Sequence, residues 1–188
     1  LAENGLGYLF PVFALSYLTR NLGVPKATAL TSIMTAHALS LLTIPLFSAL
    51  SDRIGRRPVY IGAALFAAAW SWPFFMLLET REPLWITVAM VMAISVGVAG
   101  MNGPQAAYFA ELFGARLRYS GFALARELGS LLAGGIAPAL SAWLVTSMGG
   151  QPWGVAIYMI VMCLITAFAV YSGPETYKLD LHADHVDS

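Results

Sequence analysis

The chain has 188 residues, of which 59% are hydrophobic and 11% are charged, and its formal net charge is +0. A soluble domain has about 25% charged residues, so this composition excludes a chain whose whole surface faces water. The balanced charge also argues against a nucleic-acid-binding surface. We therefore expect a membrane protein whose surroundings are the lipid bilayer and whose partners include no nucleic acid.

Long apolar segments follow one another along the chain, separated by short connectors rich in charge, glycine or proline. A helix needs about 20 apolar residues to cross the hydrocarbon core, and these segments are apolar on all sides, whereas spanning strands alternate. We predict an all-α membrane protein, with a six-transmembrane-helix bundle over residues 1–173 and a polar tail over 174–188. The predicted spans are 5–18, 28–50, 59–78, 84–109, 119–146 and 153–171.

Successive connectors must lie on opposite faces of the membrane, so their charges predict an orientation. One face carries Arg53, Arg56, Arg57, Arg116, Arg118 and, in the tail, Lys178; the other carries Arg20, Lys26 and Arg81. An excess of Lys and Arg marks the cytoplasmic side. We therefore predict a multi-pass protein of the inner cell membrane with the loop around Asp52 and the C-terminus in the cytoplasm.

The strongest local pattern is Ser-Asp-Arg-Ile-Gly-Arg-Arg-Pro at residues 51–58, between the second and third predicted spans. Gly55 allows a tight reversal of the chain, and Pro58 suits the first turn of the helix that follows. Arg53, Arg56 and Arg57 at a membrane surface would attract anionic headgroups. On these grounds alone the loop is a topology anchor.

This loop resembles the signature loop of the major facilitator superfamily, and the match includes Asp52, Arg53, Gly55, Arg56 and Arg57. Ser48 stands where the family pattern usually has glycine, which predicts a looser helix contact at that point. In the family the loop joins the second and third helices of each six-helix half, which is its place here. The resemblance implies that this chain has the fold of one half of a twelve-helix transporter.

The resemblance also implies a role for the charges of this loop as a cytoplasmic gate. In the family they pair across helices in one state of the transporter and part in the other. Asp52 and Arg56 are then the expected latch partners, with Arg53 and Arg57 as supporting charges. A carboxylate near a helix N-terminus gains about 0.3–1 kcal/mol, which is small enough to be switched.

A second stretch, at residues 103–113 and 116–121, resembles the C-terminal half of the metabolite:proton symporter branch of that superfamily. Glu3-Asn4-Gly5 and Pro45-Leu46-Phe47 also resemble that branch. Members of the branch move shikimate, 2-oxoglutarate, citrate, or proline and betaine. The chain also opens at Leu1 without a start methionine. We therefore expect a piece of a longer protein whose N-terminal six-helix half is missing here.

Two adjacent charged residues, Arg126 and Glu127, lie well inside the predicted span 119–146. An ionisable residue at such a depth costs about 2.5–3.5 kcal/mol on insertion scales and is a functional hypothesis by default. The Arg126 guanidinium could bind both oxygens of a substrate carboxylate, and Glu127 could carry a coupling proton. Alternatively, the two form structural bonds across helices, or Arg126 extends toward the cytoplasmic headgroups.

Four further polar residues are candidates for contact with substrate or proton. Glu3 would be an intramembrane acid if upstream residues extend the first span. His37 lies mid-span, where it could take up a proton or act as a hydrogen-bonded packing residue. Asn102 and Gln105 lie three residues apart near the inner end of the fourth span and are candidates for lining a cavity.

Small residues in the fourth span predict close helix packing. Gly97, Gly100 and Gly103 recur every three residues and form one stripe on a helix. Pro104 follows the stripe, removes a backbone hydrogen bond and permits a kink.

The leading hypothesis is a secondary transporter that couples uptake of a small organic acid or zwitterion to protons by alternating access. The proton is the only coupling ion expected, with no cofactor, no metal site and no catalytic residues, so the chain is not expected to be an enzyme. The alternatives are sugar uptake or drug efflux by another branch of the superfamily, or a truncated membrane protein that transports nothing. An intramembrane enzyme would need convergent acids or a Ser–His pair, which no spacing supports.

Overall fold

The computed structural model describes residues 2–112, 123–124 and 127–173. Helices α1 to α6 hold most of these residues, and no strand occurs among them. Three helices are continuous: α2 is Lys26–Ile54, α3 is Arg56–Glu79 and α6 is Trp153–Ser172. Helix α1 consists of Ala2–Tyr8, π-helical Leu9–Phe13 and Ala14–Arg20, and α4 of Pro83–Val91, π-helical Met92–Val98 and Ala99–Leu112. Helix α5 consists of residues 123–124 and 127–129, π-helical Ser130–Gly135 and Ala137–Ser147. The predicted all-α class is confirmed.

By length and composition, four helices in the described ranges could cross a membrane: Lys26–Ile54, Arg56–Glu79, Pro83–Phe109 and Trp153–Ser172. The predicted helical membrane bundle is thus confirmed, while the residues at which each helix enters the bilayer stay a prediction. The first of these helices, α2, differs from the others in its packing. Only 17% of its most apolar stretch is buried inside the chain, against 44–61% for the other three.

The turns between helices follow from a few local residues. Gly55 separates α2 from α3 at φ +107°, a backbone conformation that residues with a Cβ rarely adopt. Its N–H donates to the carbonyl of Ser51 and so caps α2. At the other end of α3, Pro83 occupies the first turn of α4, where its missing N–H costs nothing.

Helices α1, α4 and α5 are each interrupted by a π-helical stretch. The stretch in α1 contains Pro11, which lacks a backbone donor and so favours a local rearrangement. In α4 the irregular stretch is Met92–Val98, whereas the helix continues through Pro104 within Ala99–Leu112. The π-helical stretch of α4 therefore ends before Pro104, which itself lies within α-helix.

The glycine stripe of α4 is a packing face. A Cβ atom on Gly100 would lie 2.7 Å from the Cβ of Ala63 on α3. One on Gly103 would lie 2.8 Å from the backbone nitrogen of Ser48 on α2. The looser contact expected at Ser48 is therefore not what the structure has, since the glycine that permits the close approach lies on the opposite helix.

Candidate functional site

A carboxyl group and an amide meet inside the bundle, between the first turn of α1 and the inner part of α4. The Gln105 Nε2 donates a hydrogen bond of 3.1 Å to the Glu3 Oε2. Both side chains are buried, with exposed fractions of 7% for Glu3 and 9% for Gln105. Both residues were separate candidates in the sequence, and the fold brings them together across 102 positions of the chain.

A buried phenol lies near the carboxyl of this pair. The Tyr60 ring of α3 is buried and lies within electrostatic range of Glu3. Tyr60 is also within such range of Tyr108 on α4 and of Cys163 on α6. Within the described ranges, no lysine or arginine forms an ion pair with Glu3.

Helix α6 also contacts the start of α1. The backbone N–H of Ala2 donates a 3.0 Å hydrogen bond to the Thr166 Oγ1, which is itself buried. A buried backbone donor needs such an acceptor, because leaving it unpaired costs as much as a lost hydrogen bond. The first turn of α1, which carries Glu3, is thus tied to both α4 and α6.

The Glu3–Gln105 pair can hold its hydrogen bond in two protonation states. A carboxylate accepts from the amide N–H, and a neutral carboxyl group can donate its own O–H to the amide oxygen. A buried charge is costly unless paired, whereas a neutral acid with one good partner is tolerated. The pair can therefore keep one hydrogen bond whether or not the carboxyl carries a proton.

The loop at residues 51–58 forms a compact charged cluster at the end of α2. The Arg56 guanidinium, at the start of α3, forms an ion pair with Asp52, near the end of α2. Its Nη1 also donates a 2.8 Å hydrogen bond to the Ser51 Oγ. Asp52 and Arg53 are exposed, whereas Gly55 is buried at the turn. Asp52 and Arg56 are therefore in contact across the turn between α2 and α3.

Arg57 points away from that pair and caps the last helix. Its Nε donates to the carbonyl of Val170 at 3.2 Å, and its Nη2 donates to the carbonyl of Tyr171. The guanidinium also lies 5.6 Å from the centre of the Tyr171 ring, within range of a cation–π contact. A cation at a helix C-terminus satisfies otherwise unpaired carbonyls and complements the helix dipole.

The remaining candidates lie elsewhere. His37 is exposed on α2, and Ser40 donates to its backbone carbonyl at 2.7 Å rather than to its ring. Asn102 is half-buried on α4, and Glu127 is exposed on α5. Arg126 lies outside the described residues, as do the predicted tail and the charged connector at residues 113–118.

Two residues that complete these contacts carry no signal in the sequence. Tyr60 and Thr166 are ordinary residues in an apolar chain, and no spacing marks them. Ser51 belongs to the charged loop, but its hydrogen bond with Arg56 was not predicted. Arg57 was expected to support the latch, and its partners are carbonyls 113 and 114 positions away. Only a knowledge of which helices pack together could have identified these pairs.

A multi-pass helical bundle with a charged loop at one face and a buried carboxyl in its interior is the class of structure that secondary transporters use. This chain belongs to the Major Facilitator Superfamily, whose family model matches residues 2–183. Membership makes it a multi-pass membrane protein of a transporter family rather than an enzyme. No solved structure gives a significant match to the chain.

Curated relatives place the chain in the metabolite:proton symporter branch. It is 39% identical over 160 residues to a shikimate transporter of Escherichia coli (strain K12), covering 85% of this chain and 36% of that protein. It is 28% identical over 144 residues to a citrate-proton symporter of Klebsiella pneumoniae, covering 77% of this chain and 32% of the symporter. It is 29% identical over 176 residues to a proline/betaine transporter of Salmonella typhimurium (strain LT2), covering 94% of this chain and 35% of that transporter. The chain thus spans about a third of the length of these relatives.

Proposed function

We propose that this chain is the C-terminal half of a transporter that couples uptake of a small organic acid to the inward movement of protons. The observation that carries the proposal is the buried Glu3 carboxyl held by the neutral Gln105 amide. An ionisable group inside a membrane bundle is expensive and is kept where it serves transport. The names of relatives, a citrate-proton symporter among them, support proton coupling.

The proposal includes a missing N-terminal half that packs on α2. This helix is the least buried of the four candidate spans and exposes large apolar side chains along its length. They are Leu30, Met34, Leu39, Leu41, Leu42, Leu46, Leu50 and Ile54. His37 lies among them, and an imidazole is a poor neighbour for lipid in mid-span. A second half that covers α2 would give the His37 imidazole a polar or protein environment instead of lipid.

We further propose that the Asp52–Arg56 pair is a cytoplasmic latch and that the C-terminus lies in the cytoplasm. The excess of arginine around this loop supports the orientation. Asp52 is exposed although it is paired, so its contact with Arg56 is open to competition from water and from other charges. Such a weak, exchangeable contact suits a gate that must open in every cycle.

The proposed substrate carries a carboxylate, and Arg126 is its proposed partner inside the bundle, with Glu127 and Asn102 as further candidates. A fixed guanidinium favours an anion and can bind both carboxylate oxygens at once. The proton is the proposed coupling ion, and no other cofactor is needed for this cycle.

Uptake by the full-length protein in cells tests the proposed function. A panel of organic acids, with betaine and proline, is offered at acidic and neutral external pH, with and without an uncoupler. We expect at least one carboxylate to accumulate, faster at acidic pH, and the uncoupler to abolish that accumulation. Cells with the empty vector are the control, and accumulation that ignores both pH and uncoupler would rule out proton symport.

A further inference from the structure

A cavity of about 330 Å³ opens between α1 and α5, at the end of α1 opposite to Glu3. Arg20 ends α1 and lies seventeen residues after Glu3, which corresponds to about 26 Å along a helix. The cavity therefore lies near the membrane face that the charge distribution assigns to the outside. Its volume is in the range of sites that hold small metabolites.

The lining of this cavity is polar at its outer end and apolar further along both helices. Arg20, Asn21 and Thr146 lie at the helix ends, while Phe13 and Pro138 lie deeper in the bundle. Ser16 stands between them on α1. A ligand with a charged head and an apolar body would match this gradient.

Among the described lining residues, Arg20 alone carries a formal charge. The other charged groups of this region, Glu79 and Arg81, line a neighbouring cavity of about 470 Å³ that shares Tyr17 and Asn21. Opposite charges on one wall leave that second cavity without a strong preference for either sign. The cavity between α1 and α5 instead has one cation and no described carboxylate in its own lining, which favours an anion. Glu79 lies within electrostatic range of the shared Tyr17, but Arg81 lies within range of it as well and opposes that charge.

We infer that the cavity between α1 and α5 is an entry site at which the carboxylate of a small organic anion first docks on Arg20. This inference deepens the proposed function, on which it rests, by placing a first contact for the substrate far from the proton site at Glu3. An anion held there lies against Phe13, and its carboxylate accepts from the Ser16 hydroxyl or the Asn21 amide. Arg20 then raises the local concentration of anions at the cavity. The later steps of transport take place at residues in the bundle interior.

Cysteine labelling of the full-length protein tests the site without relying on transport. The variant Ser16→Cys places a thiol in the cavity, and the native Cys163 of this chain is fully buried. Labelling of the protein without that substitution is measured as the background. Two membrane-impermeant methanethiosulfonates of similar size, one a sulfonate and one a trimethylammonium, are applied from outside at low salt. We expect the anionic reagent to react faster, and Arg20→Gln to change each rate by about threefold in opposite directions.

Protection by a ligand gives the second measurement. Cyclohexanecarboxylate should slow labelling of Ser16→Cys, whereas the neutral, equally shaped cyclohexanecarboxamide should not. Arg20→Gln should remove the protection and Arg20→Lys should retain part of it. The matched control is Lys26→Gln, which removes the other cation of the same connector and should change neither protection nor charge preference.

The outcomes separate this site from the proposed function. Equal rates for both reagents, or protection by carboxylate and carboxamide alike, would overturn the entry site even if uptake is proton-coupled. Charge preference and protection that depend on Arg20 would establish the site even if uptake ignores the proton gradient. An effect of Lys26→Gln as large as that of Arg20→Gln would show a diffuse surface charge and would also overturn the site.

Discussion

Replacing Glu3 by glutamine is expected to abolish proton-driven accumulation of substrate by the full-length protein while leaving exchange intact. The substitution keeps the size of the side chain and can keep a hydrogen bond with Gln105, but it removes the group that takes up the proton. A gradient of one pH unit is worth roughly 1.4 kcal/mol per proton, so the lost accumulation is about tenfold at that gradient. Uptake into energised proteoliposomes measures this loss.

Exchange of external for preloaded substrate distinguishes a coupling role from a structural one. Exchange does not require the proton to leave, so the Glu3→Gln protein should still exchange at a rate comparable to the wild type. The matched control is Glu82→Gln, which removes an exposed carboxyl in the connector between α3 and α4 and should preserve accumulation. Loss of exchange together with accumulation would return Glu3 to a structural role.

The second large effect is expected from Gly103→Ala on α4. The added methyl group would lie 2.8 Å from the Ser48 nitrogen, 2.8 Å from the Phe47 Cβ and 3.0 Å from the Ile44 carbonyl oxygen of α2. Two of these atoms belong to the backbone and cannot rotate away, so the helices must separate. Overpacking of this kind costs about 1–3 kcal/mol. The apparent melting temperature of the purified full-length protein should fall by several degrees, about 2–4 °C per kcal/mol.

Gly62→Ala on α3 is the matched control for that experiment. A Cβ atom at Gly62 meets no other atom within 4 Å, and the residue is exposed. Alanine is also favoured over glycine in a helix interior by about 0.8–1.0 kcal/mol. The control protein should therefore melt at the same temperature or slightly higher. Equal losses in the two variants would show that the glycines act through flexibility rather than close packing.

The helices and the charged loop could be predicted because their signals are local. Apolar length predicts a spanning helix whatever its neighbours are, and Gly55 between two apolar runs predicts a turn. Asp52 and Arg56 are four residues apart, and their contact is set by that spacing once the chain around the turn is fixed. These features need no knowledge of which helix packs on which.

The contacts between distant helices could not be predicted in this way. Glu3 and Gln105 meet because α1 and α4 are neighbours in the bundle. The sequence of an apolar helix does not indicate which other helix packs on it. The same limit explains Ser48, where the family pattern predicted a looser contact and Gly103 of another helix supplies the room. The cavity at Arg20 likewise depends on the spacing of α1 and α5, which neither helix encodes alone.

The most direct test of the central claim is the movement of protons that accompanies substrate. Proteoliposomes with the full-length protein and no pre-existing gradient are given the transported carboxylate, and the external pH is followed with a dye. Coupled uptake predicts a rise of external pH on addition of substrate, which the uncoupler removes and the Glu3→Gln protein fails to produce. Uptake of the carboxylate with no change of external pH would contradict proton symport and the role assigned to Glu3.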